Sequence, residues 1–124
     1  MKSPTALDRL PHLLNADLHC HSCISDGTLQ PEALAARARA GGVELWSLTD
    51  HDEVGGEQRA RDAALRDGVA YLAGTEISVT FAGVTVHIIG LGFDADDAAL
   101  REGLARTRGG REARAREIDR KSVV

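Results

Sequence analysis

Histidines and carboxylates recur at regular places along this sequence of 124 residues. The stretch NADLHCHSCISDGT carries His19 and His21 two positions apart and follows them with Asp26 in a Ser-Asp-Gly turn. Because alternate residues of an extended strand share a face, Asp17, His19 and His21 are expected to point to one side. A surface strand can also carry two histidines without any function. The rest of the chain decides between these two interpretations.

Similar side chains follow at the ends of the later apolar runs. His51 lies in TDHD, Glu76 in GTE and His87 in VTVHIIG, and of the five histidines of the chain only His12 falls elsewhere. Folds of alternating strands and helices place their sites at the carboxyl ends of the strands. Taken singly, His87 could be a core histidine and Glu76 could pair with an arginine. Together these residues predict a metal site.

The residue types indicate which metals would bind. Imidazole and carboxylate ligands without thiolate favour borderline to hard divalent ions, and several such ions can turn bound water into hydroxide near neutral pH. Cys20 and Cys23 form a CxxC, which suits a redox pair or half of a zinc site. There is no second CxxC, so we expect two reduced, structural thiols.

The elements that must position these residues alternate between strand and helix. After the first strand, a helix is predicted to open at Thr28 with Pro31 in its first turn and to close on Gly41 and Gly42. The other predicted elements are strands at 43–52, 69–78 and 84–93, helices at 56–68 and 97–108, the second capped by Asp96 or Asp97, and an arginine-rich helix beyond Gly109-Gly110. This alternation predicts an α/β fold with a mostly parallel sheet or barrel.

Length and composition bound the function classes. The 124 residues are 43% hydrophobic and 27% charged, which is an ordinary globular composition. We therefore expect one domain and no membrane span. The early charges and proline of the N-terminal segment do not resemble a signal peptide, which favours a cytoplasmic location. Residues 1–100 carry 7 Lys+Arg against 15 Asp+Glu, and residues 101–124 carry 8 against 4. An acidic body suits cation binding, and a late arginine cluster suits an anionic substrate.

The motifs resemble those of a known family. DLHCHS, SDGTL, TDHD, GTE and VHIIGLGF are similar, in the same order, to the motifs of the PHP (polymerase and histidinol phosphatase) metallo-phosphoesterases. TRGGREARAREI resembles the arginine-bearing helix of the branch that contains 3',5'-nucleoside bisphosphate phosphatases and short-RNA 5'-3' exonucleases. The resemblance runs from about Asn15 to Ile118 and implies the N-terminal part of a distorted (β/α)7 barrel.

The resemblance also implies a cluster of two or three divalent ions, of manganese in the first instance, with iron or zinc as alternatives. The ligands it assigns are His19, His21, Asp26, His51, Glu76 and His87. Glu76 is expected to bridge two ions, and catalytic roles fall to Asp26, His51 and Glu76. Asp17 and Asp50 lie beside ligands, where they can orient imidazole N–H groups or serve as structural carboxylates.

A phosphoesterase of small nucleotides is the function that follows. Metal-activated hydroxide would attack phosphorus in line while metal charge stabilises the developing negative oxygens. Arg111 and Arg114 lie three apart, where their guanidinium groups could join Asp26 in binding the substrate by holding a second phosphate. A solvated helix face is the alternative for both arginines. Rival functions are a histidinol phosphatase, a polymerase-associated phosphoesterase and a non-catalytic metal-binding module.

Another rival is an amidohydrolase, which also begins with HxH. Its bridging group is commonly a modified lysine on a mid-barrel strand, whereas the lysines here are Lys2 and Lys121. That rival is therefore disfavoured.

The resemblance further predicts that residues 1–124 are the N-terminal portion of a truncated domain. Members of the family continue for well over another hundred residues and supply a further histidine and a late Asp-x-His pair. Six protein ligands fall short of the roughly twelve contacts that three ions need. We therefore expect an exposed apolar surface or a homo-oligomer in which a second copy covers the incomplete barrel.

Overall fold

A computed structural model describes residues 14–122 of the chain. Three short strands pair in parallel in the order β1 (Ala16–Asp17), β2 (Leu45–Trp46) and β3 (Ala70–Tyr71). Helix α1 (Pro31–Ala40) lies between the first two strands and α2 (Glu57–Arg66) between the last two. The predicted α/β alternation is therefore confirmed for this part of the chain. We call these five elements the parallel half.

The helix boundaries follow the local signals. Pro31 stands at the start of α1, where its missing N–H costs no intrahelical hydrogen bond. Gly41 ends the helix by donating its N–H to the carbonyl of Arg37, and Gly42 continues with φ +76°, a conformation that favours glycine. The predicted end at Gly41-Gly42 is thus confirmed, whereas the helix begins at Pro31 rather than at the predicted Thr28, with Gln30 at its N-cap.

The core lies between the parallel strands and the two helices. Trp46 and Leu48 of the β2 segment are fully buried against alanines of both helices. Small residues such as Ala35 and Ala60 let the helix backbones approach the sheet closely. The core is thus formed by the parallel half of the molecule.

The third predicted strand divides in two. After β3 the chain leaves the parallel sheet and forms β4 (Gly74–Phe81), which pairs antiparallel with β5 (Val84–Leu91). The two-residue turn of Ala82 and Gly83 has positive φ at both positions, as a tight hairpin requires. The antiparallel hairpin β4–β5 was not predicted. Gly74 marks the division because a Cβ there would lie 2.2 Å from Ser47 Oγ, so the backbone approaches β2 too closely for a side chain.

The separation predicted at Gly109-Gly110 is wrong. One continuous helix, α3 (Ala98–Ser122), runs through both glycines. Asp97 caps its start, because its Oδ2 accepts a 2.8 Å hydrogen bond from the Leu100 N–H. Each glycine weakens a helix by about 1 kcal/mol. Contacts of Arg108 and Arg111 with the loop after β2 hold α3 on both sides of the glycine pair.

Candidate metal centre

The loop after β1 is held in place by a buried aspartate. Asp50 Oδ1 accepts hydrogen bonds from the Ser22 N–H and the Ser25 hydroxyl, each at 2.7 Å, and its Oδ2 accepts one from the Ser22 hydroxyl at 2.7 Å. Gly27 packs against the carbonyl of His21, where a Cβ would lie 2.2 Å from the oxygen. These contacts fix the path of the chain between His21 and Asp26.

A short backbone junction joins the two sheets. The Glu76 N–H donates to the carbonyl of Asp50 at 3.0 Å, and the Asp52 N–H donates to the carbonyl of Glu76 at 2.9 Å. His51 and Glu76 thereby form an isolated parallel bridge. This sheet junction places the imidazole from the β2 segment beside the carboxylate from the hairpin.

Glu76 is the centre of the site. Its side chain is largely buried, with 9% of it exposed. Its Oε2 lies 3.2 Å from His19 Nε2, 3.1 Å from His21 Nε2 and 3.6 Å from His51 Nδ1. Its Oε1 lies 4.0 Å from His87 Nδ1. One carboxylate thus contacts imidazoles from three separate segments of the chain.

Asp26 and the imidazole stacking complete the geometry. Asp26 Oδ2 lies 3.2 Å from His51 Nε2, and its Oδ1 lies 3.9 Å from His21 Nδ1. The rings of His21 and His51 stack in parallel planes with centroids 4.4 Å apart. The structure therefore brings all six predicted ligands together, and we refer to them as the cluster: His19, His21, Asp26, His51, Glu76 and His87.

The cluster has the dimensions of a metal site. Three groups of donor atoms each lie within 4.8 Å of one another: His19, His21 and Glu76; His21, Asp26 and His51; and His51, Glu76 and His87. Ligands around one ion, with bonds of about 2.0 to 2.5 Å, lie within about 5 Å of each other. His21 Nδ1 and His51 Nδ1 are buried without a hydrogen-bond partner among the described residues. These residues therefore fit divalent ions.

The carboxylates expected to orient imidazoles bind backbone N–H groups and serine hydroxyls instead. Asp17 Oδ1 accepts a 3.2 Å hydrogen bond from the His19 N–H, and Asp50 binds the serine loop as described. Both are therefore structural carboxylates, the alternative that the sequence left open. Asp50 is fully buried directly before His51, so its backbone-binding role was not visible from its position in the motif.

The CxxC pair does not form a joint site. Both thiols are free; Cys20 is half-buried and accepts a 3.2 Å hydrogen bond from the Trp46 indole N–H, whereas Cys23 is exposed. Burial raises the pKa of the Cys20 thiol to about 11. A thiol with this pKa stays protonated near neutral pH and is a poor nucleophile.

A cleft of about 860 Å³ opens beside the cluster. Asp26, His51 and His87 line one side, and Arg111 and Arg114 of α3 line the other. The structure thus places both predicted arginines on the same cleft as the cluster. Arg111 Nε lies 3.2 Å from Oδ2 of the fully buried Asp52. Sequence reasoning did not single out Asp52, although it lies inside TDHD.

The described helices include none that is long and apolar enough to span a membrane.

Comparison with known proteins gives a consistent result. The PHP domain family matches residues 17–111. A 3',5'-nucleoside bisphosphate phosphatase from Chromobacterium violaceum is 47% identical over 106 residues, which are 86% of this chain and 37% of the relative. A 5'-3' exoribonuclease from Haemophilus influenzae is 43% identical over 102 residues, 82% of this chain and 37% of the relative.

Two solved structures have a fold similar to that of this chain. One is described as an amidohydrolase from Chromobacterium violaceum with bound sulfate and no metal. Its TM-score is 0.80 at 48% identity, and the alignment covers 84% of this chain and 37% of the chain in that structure. A metal-dependent phosphoesterase from Bifidobacterium adolescentis has a TM-score of 0.80 at 33% identity and covers 91% of this chain and 40% of its own. The chain thus spans about 37% of the length of the curated relatives it matches.

Proposed function

Since this chain belongs to the PHP domain family, we propose that its cluster binds divalent metal ions and hydrolyses phosphate esters of small nucleotides, either 3',5'-nucleoside bisphosphates or short RNA ends. The observation that carries the proposal is the buried carboxylate of Glu76 in contact with imidazoles from three segments of the chain. The names of the relatives, a bisphosphate phosphatase and an exoribonuclease, support the substrate class.

The cluster would hold the ions through the six ligands named above. We propose manganese, with ferrous iron or zinc as alternatives, because imidazole and carboxylate without thiolate suit such ions. When bound, these ions supply Lewis acidity toward a phosphoryl oxygen and a nucleophile drawn from water near neutral pH.

The residues of the chain have separate proposed tasks. Glu76 neutralises the positive charge at the centre and fixes the imidazoles around it. Asp26 is exposed at the cleft and lies 3.2 Å from His51 Nε2, so its carboxylate can contact the substrate from the same side as His51. Arg111 and Arg114 face them across the cleft, where they would bind a second anion.

Metal content and turnover test the proposal together. The unmodified chain, Glu76→Gln and the control Glu102→Gln should be loaded with manganese, analysed for bound metal, and assayed with adenosine 3',5'-bisphosphate, short 5'-phosphorylated RNA and histidinol phosphate. Glu102 is an exposed glutamate that pairs with Arg106 on α3 and is not among the residues that line the cleft. We expect Glu76→Gln to weaken metal binding at least about 100-fold, the upper end of the loss seen for outer partners of metal ligands, and Glu102→Gln to leave it unchanged.

The outcomes separate the competing functions. Stoichiometric metal without turnover of any ester would identify a metal-binding module and overturn the hydrolase. Preferred turnover of histidinol phosphate would replace the nucleotide assignment. Absence of both metal binding and turnover would overturn the whole proposal.

Substrate specificity has its own test in Arg111. Arg111→Ala should lower kcat/KM for a 3',5'-bisphosphate by about 10- to 100-fold, because one charge-assisted contact to the second phosphate is lost. A monophosphate has no second anion and should be hydrolysed nearly as before. Equal losses on both substrates would indicate a folding defect, and no loss on either would return Arg111 to the solvated-helix alternative.

A further inference from the structure

We propose that Asp52 is a positioning residue that holds Arg111 so that its guanidinium faces the substrate's second anion. The inference deepens the proposed function and rests on it for the identity of that anion. Asp52 has a fully buried side chain, and its Oδ2 lies 3.2 Å from Arg111 Nε. Arg111 keeps 39% of its side chain exposed at the cleft.

The backbone around Asp52 is fixed on several sides. Its N–H donates to the carbonyl of Glu76 at the sheet junction, and its Oδ1 accepts a 2.9 Å hydrogen bond from the Ser78 N–H. Its carbonyl accepts a hydrogen bond from the Arg108 guanidinium. Its φ is +50°, in the left-handed region that few residues other than glycine, asparagine and aspartate adopt. The carboxylate therefore has a fixed direction, toward α3.

Burial makes the pair with Arg111 more than a surface contact. A carboxylate removed from water needs a compensating charge or several hydrogen bonds. Neither Asp52 Oδ2 nor Arg111 Nε forms a hydrogen bond among the described residues, so their 3.2 Å approach is an ion pair without a hydrogen bond, and Arg111 is the cation that compensates the carboxylate. The contact is made by Nε of Arg111. The two terminal nitrogens of the guanidinium are left for a ligand in the cleft.

The neighbouring arginines show that this arrangement is specific. Arg108 Nε lies 3.5 Å from Glu53 Oε2, and Arg108 also binds the Asp52 carbonyl, so it ties α3 to the loop after His51. Arg114 is exposed and forms no ion pair with the described side chains. Of the two arginines proposed to bind the second anion, Arg111 is therefore the one with a prearranged side chain. Prearrangement lowers the entropic cost of binding an anion.

The experiment compares anion binding with and without the Asp52 charge. Adenosine 3',5'-bisphosphate is titrated calorimetrically into the metal-free chain with chelator present, so that no turnover occurs. Metal-free binding is a reasonable probe because the Chromobacterium violaceum relative is described with sulfate and without metal. Asp52→Asn keeps an oxygen for the Ser78 N–H and tolerates the positive φ, but it removes the charge opposite Arg111.

The two possible roles of Asp52 predict opposite changes in bisphosphate affinity for Asp52→Asn. If Asp52 positions Arg111, bisphosphate affinity should fall about 10-fold, since one charge-assisted contact is lost. If Asp52 contributes only negative charge near the cleft, affinity should rise. Glu112→Gln is the matched control, because Glu112 also lines the cleft but pairs with Arg116. This control should not weaken binding.

A double variant identifies the route of the effect. Asp52→Asn combined with Arg111→Ala should bind bisphosphate no more weakly than Arg111→Ala alone, because Asp52 acts through Arg111. Additive losses, or unchanged binding by Asp52→Asn, would overturn the positioning role. If Asp52→Asn fails to fold, Arg111→Lys replaces it: lysine keeps the charge opposite Asp52 but has no second nitrogen for an anion, so binding as tight as in the unmodified chain would overturn the proposal.

Failure of the proposed function is distinguishable from failure of this inference. Hydrolysis by the metal-loaded unmodified chain, with no effect of Asp52→Asn on binding, overturns the positioning role alone. A persistent effect of Asp52→Asn on binding, without hydrolysis by the unmodified chain, overturns the reaction and supports the positioning role.

Discussion

The parallel half and the hairpin differ in how they protect their apolar side chains. In the parallel half, Trp46 and Leu48 are 1% and 0% exposed and lie between two helices. In the hairpin, Phe81 and Val84 are 74% and 62% exposed. The hairpin nevertheless supplies Glu76, the most buried member of the cluster. Burial of the site therefore depends on the sheet junction rather than on a core within the hairpin.

The strand register explains this asymmetry. Ile77 pairs with Ile88, Val79 with Val86 and Phe81 with Val84, so these six side chains share one face of the hairpin. The opposite face carries the polar residues Glu76, Ser78 and His87. The polar face is turned toward the cluster, and most of the apolar face is exposed in this structure. An apolar strand face of this kind is normally covered by further chain or by a partner.

The largest difference in stability between the parallel half and the hairpin should appear when an aromatic side chain of each is truncated. Trp46→Ala should lower the free energy of unfolding by about 3 to 5 kcal/mol, because it opens a cavity in the core of the parallel half. Phe81→Ala removes a side chain that is already mostly in water, so it should change the free energy of unfolding by less than about 0.5 kcal/mol. Urea unfolding of both variants measures the difference. Equal losses would mean that the hairpin face is covered in solution.

A second contrast concerns the polar groups that hold the site. Asp50→Ala should lower the free energy of unfolding by about 3 to 4 kcal/mol, because three donors of the serine loop lose a buried charged acceptor. Asp96→Ala is the matched control at an exposed position, where the ion pair with Arg101 contributes at most about 1 kcal/mol. Thermal and urea unfolding should rank the two in this order. A loss no larger than that of the control would contradict the anchoring role of Asp50.

The stability of the parallel half should also depend on pH, and this effect is smaller than the two above. Glu57 is buried and accepts a hydrogen bond from the Tyr71 hydroxyl, and burial raises its pKa to about 7. Its pKa in the unfolded chain is lower, so the folded state binds more protons between about pH 4.5 and 7. The stability contribution is complete below that range and is lost as the pH rises through it, by about 2 to 3 kcal/mol.

Glu57→Gln isolates this contribution. Every other titratable group is the same in the two proteins, so the difference between their urea-unfolding profiles from pH 4.5 to 7.5 reports on Glu57. In the variant, the free energy of unfolding should no longer show the decrease with rising pH that Glu57 causes. Parallel profiles would show that Glu57 has the same pKa in the folded and the unfolded protein.

The sequence was informative where a local signal acts alone. Pro31 and Gly41 lie at the two ends of α1, and His19, His21 and His51 follow β1 and β2 as the prediction of ligands at strand ends requires. These parts hold because capping signals and short strands are local properties. The same prediction is wrong for Glu76 and His87, which lie within β4 and β5 and reach the cluster through the unpredicted hairpin. The ligand roles of the cluster residues remain predictions.

The parts that the sequence did not predict depend on contacts between distant residues. The division of the third strand follows from the close approach of Gly74 to Ser47, and the continuity of α3 through Gly109-Gly110 follows from arginine contacts with the loop after β2. Asp50 and Asp52 are adjacent to His51 in TDHD, yet one binds a serine loop and the other an arginine. Neither partner can be inferred from the motif.

The sheet junction has a consequence for cooperativity. Two backbone hydrogen bonds link Asp50 and Asp52 to Glu76, and bonds from the Ser78 N–H to the Asp52 carboxylate and from the Thr75 hydroxyl to the Asp50 carbonyl lie beside them. Together they join a unit with its own core to a hairpin with little core. Such a hairpin can open locally without global unfolding, at a free energy to which these links contribute. A ligand that binds His51 and Glu76 together stabilises only the closed form, so it lengthens the lifetime of the junction amides against solvent exchange. The amide protons of Asp52 and Glu76 would thus report occupancy of the site from within the backbone.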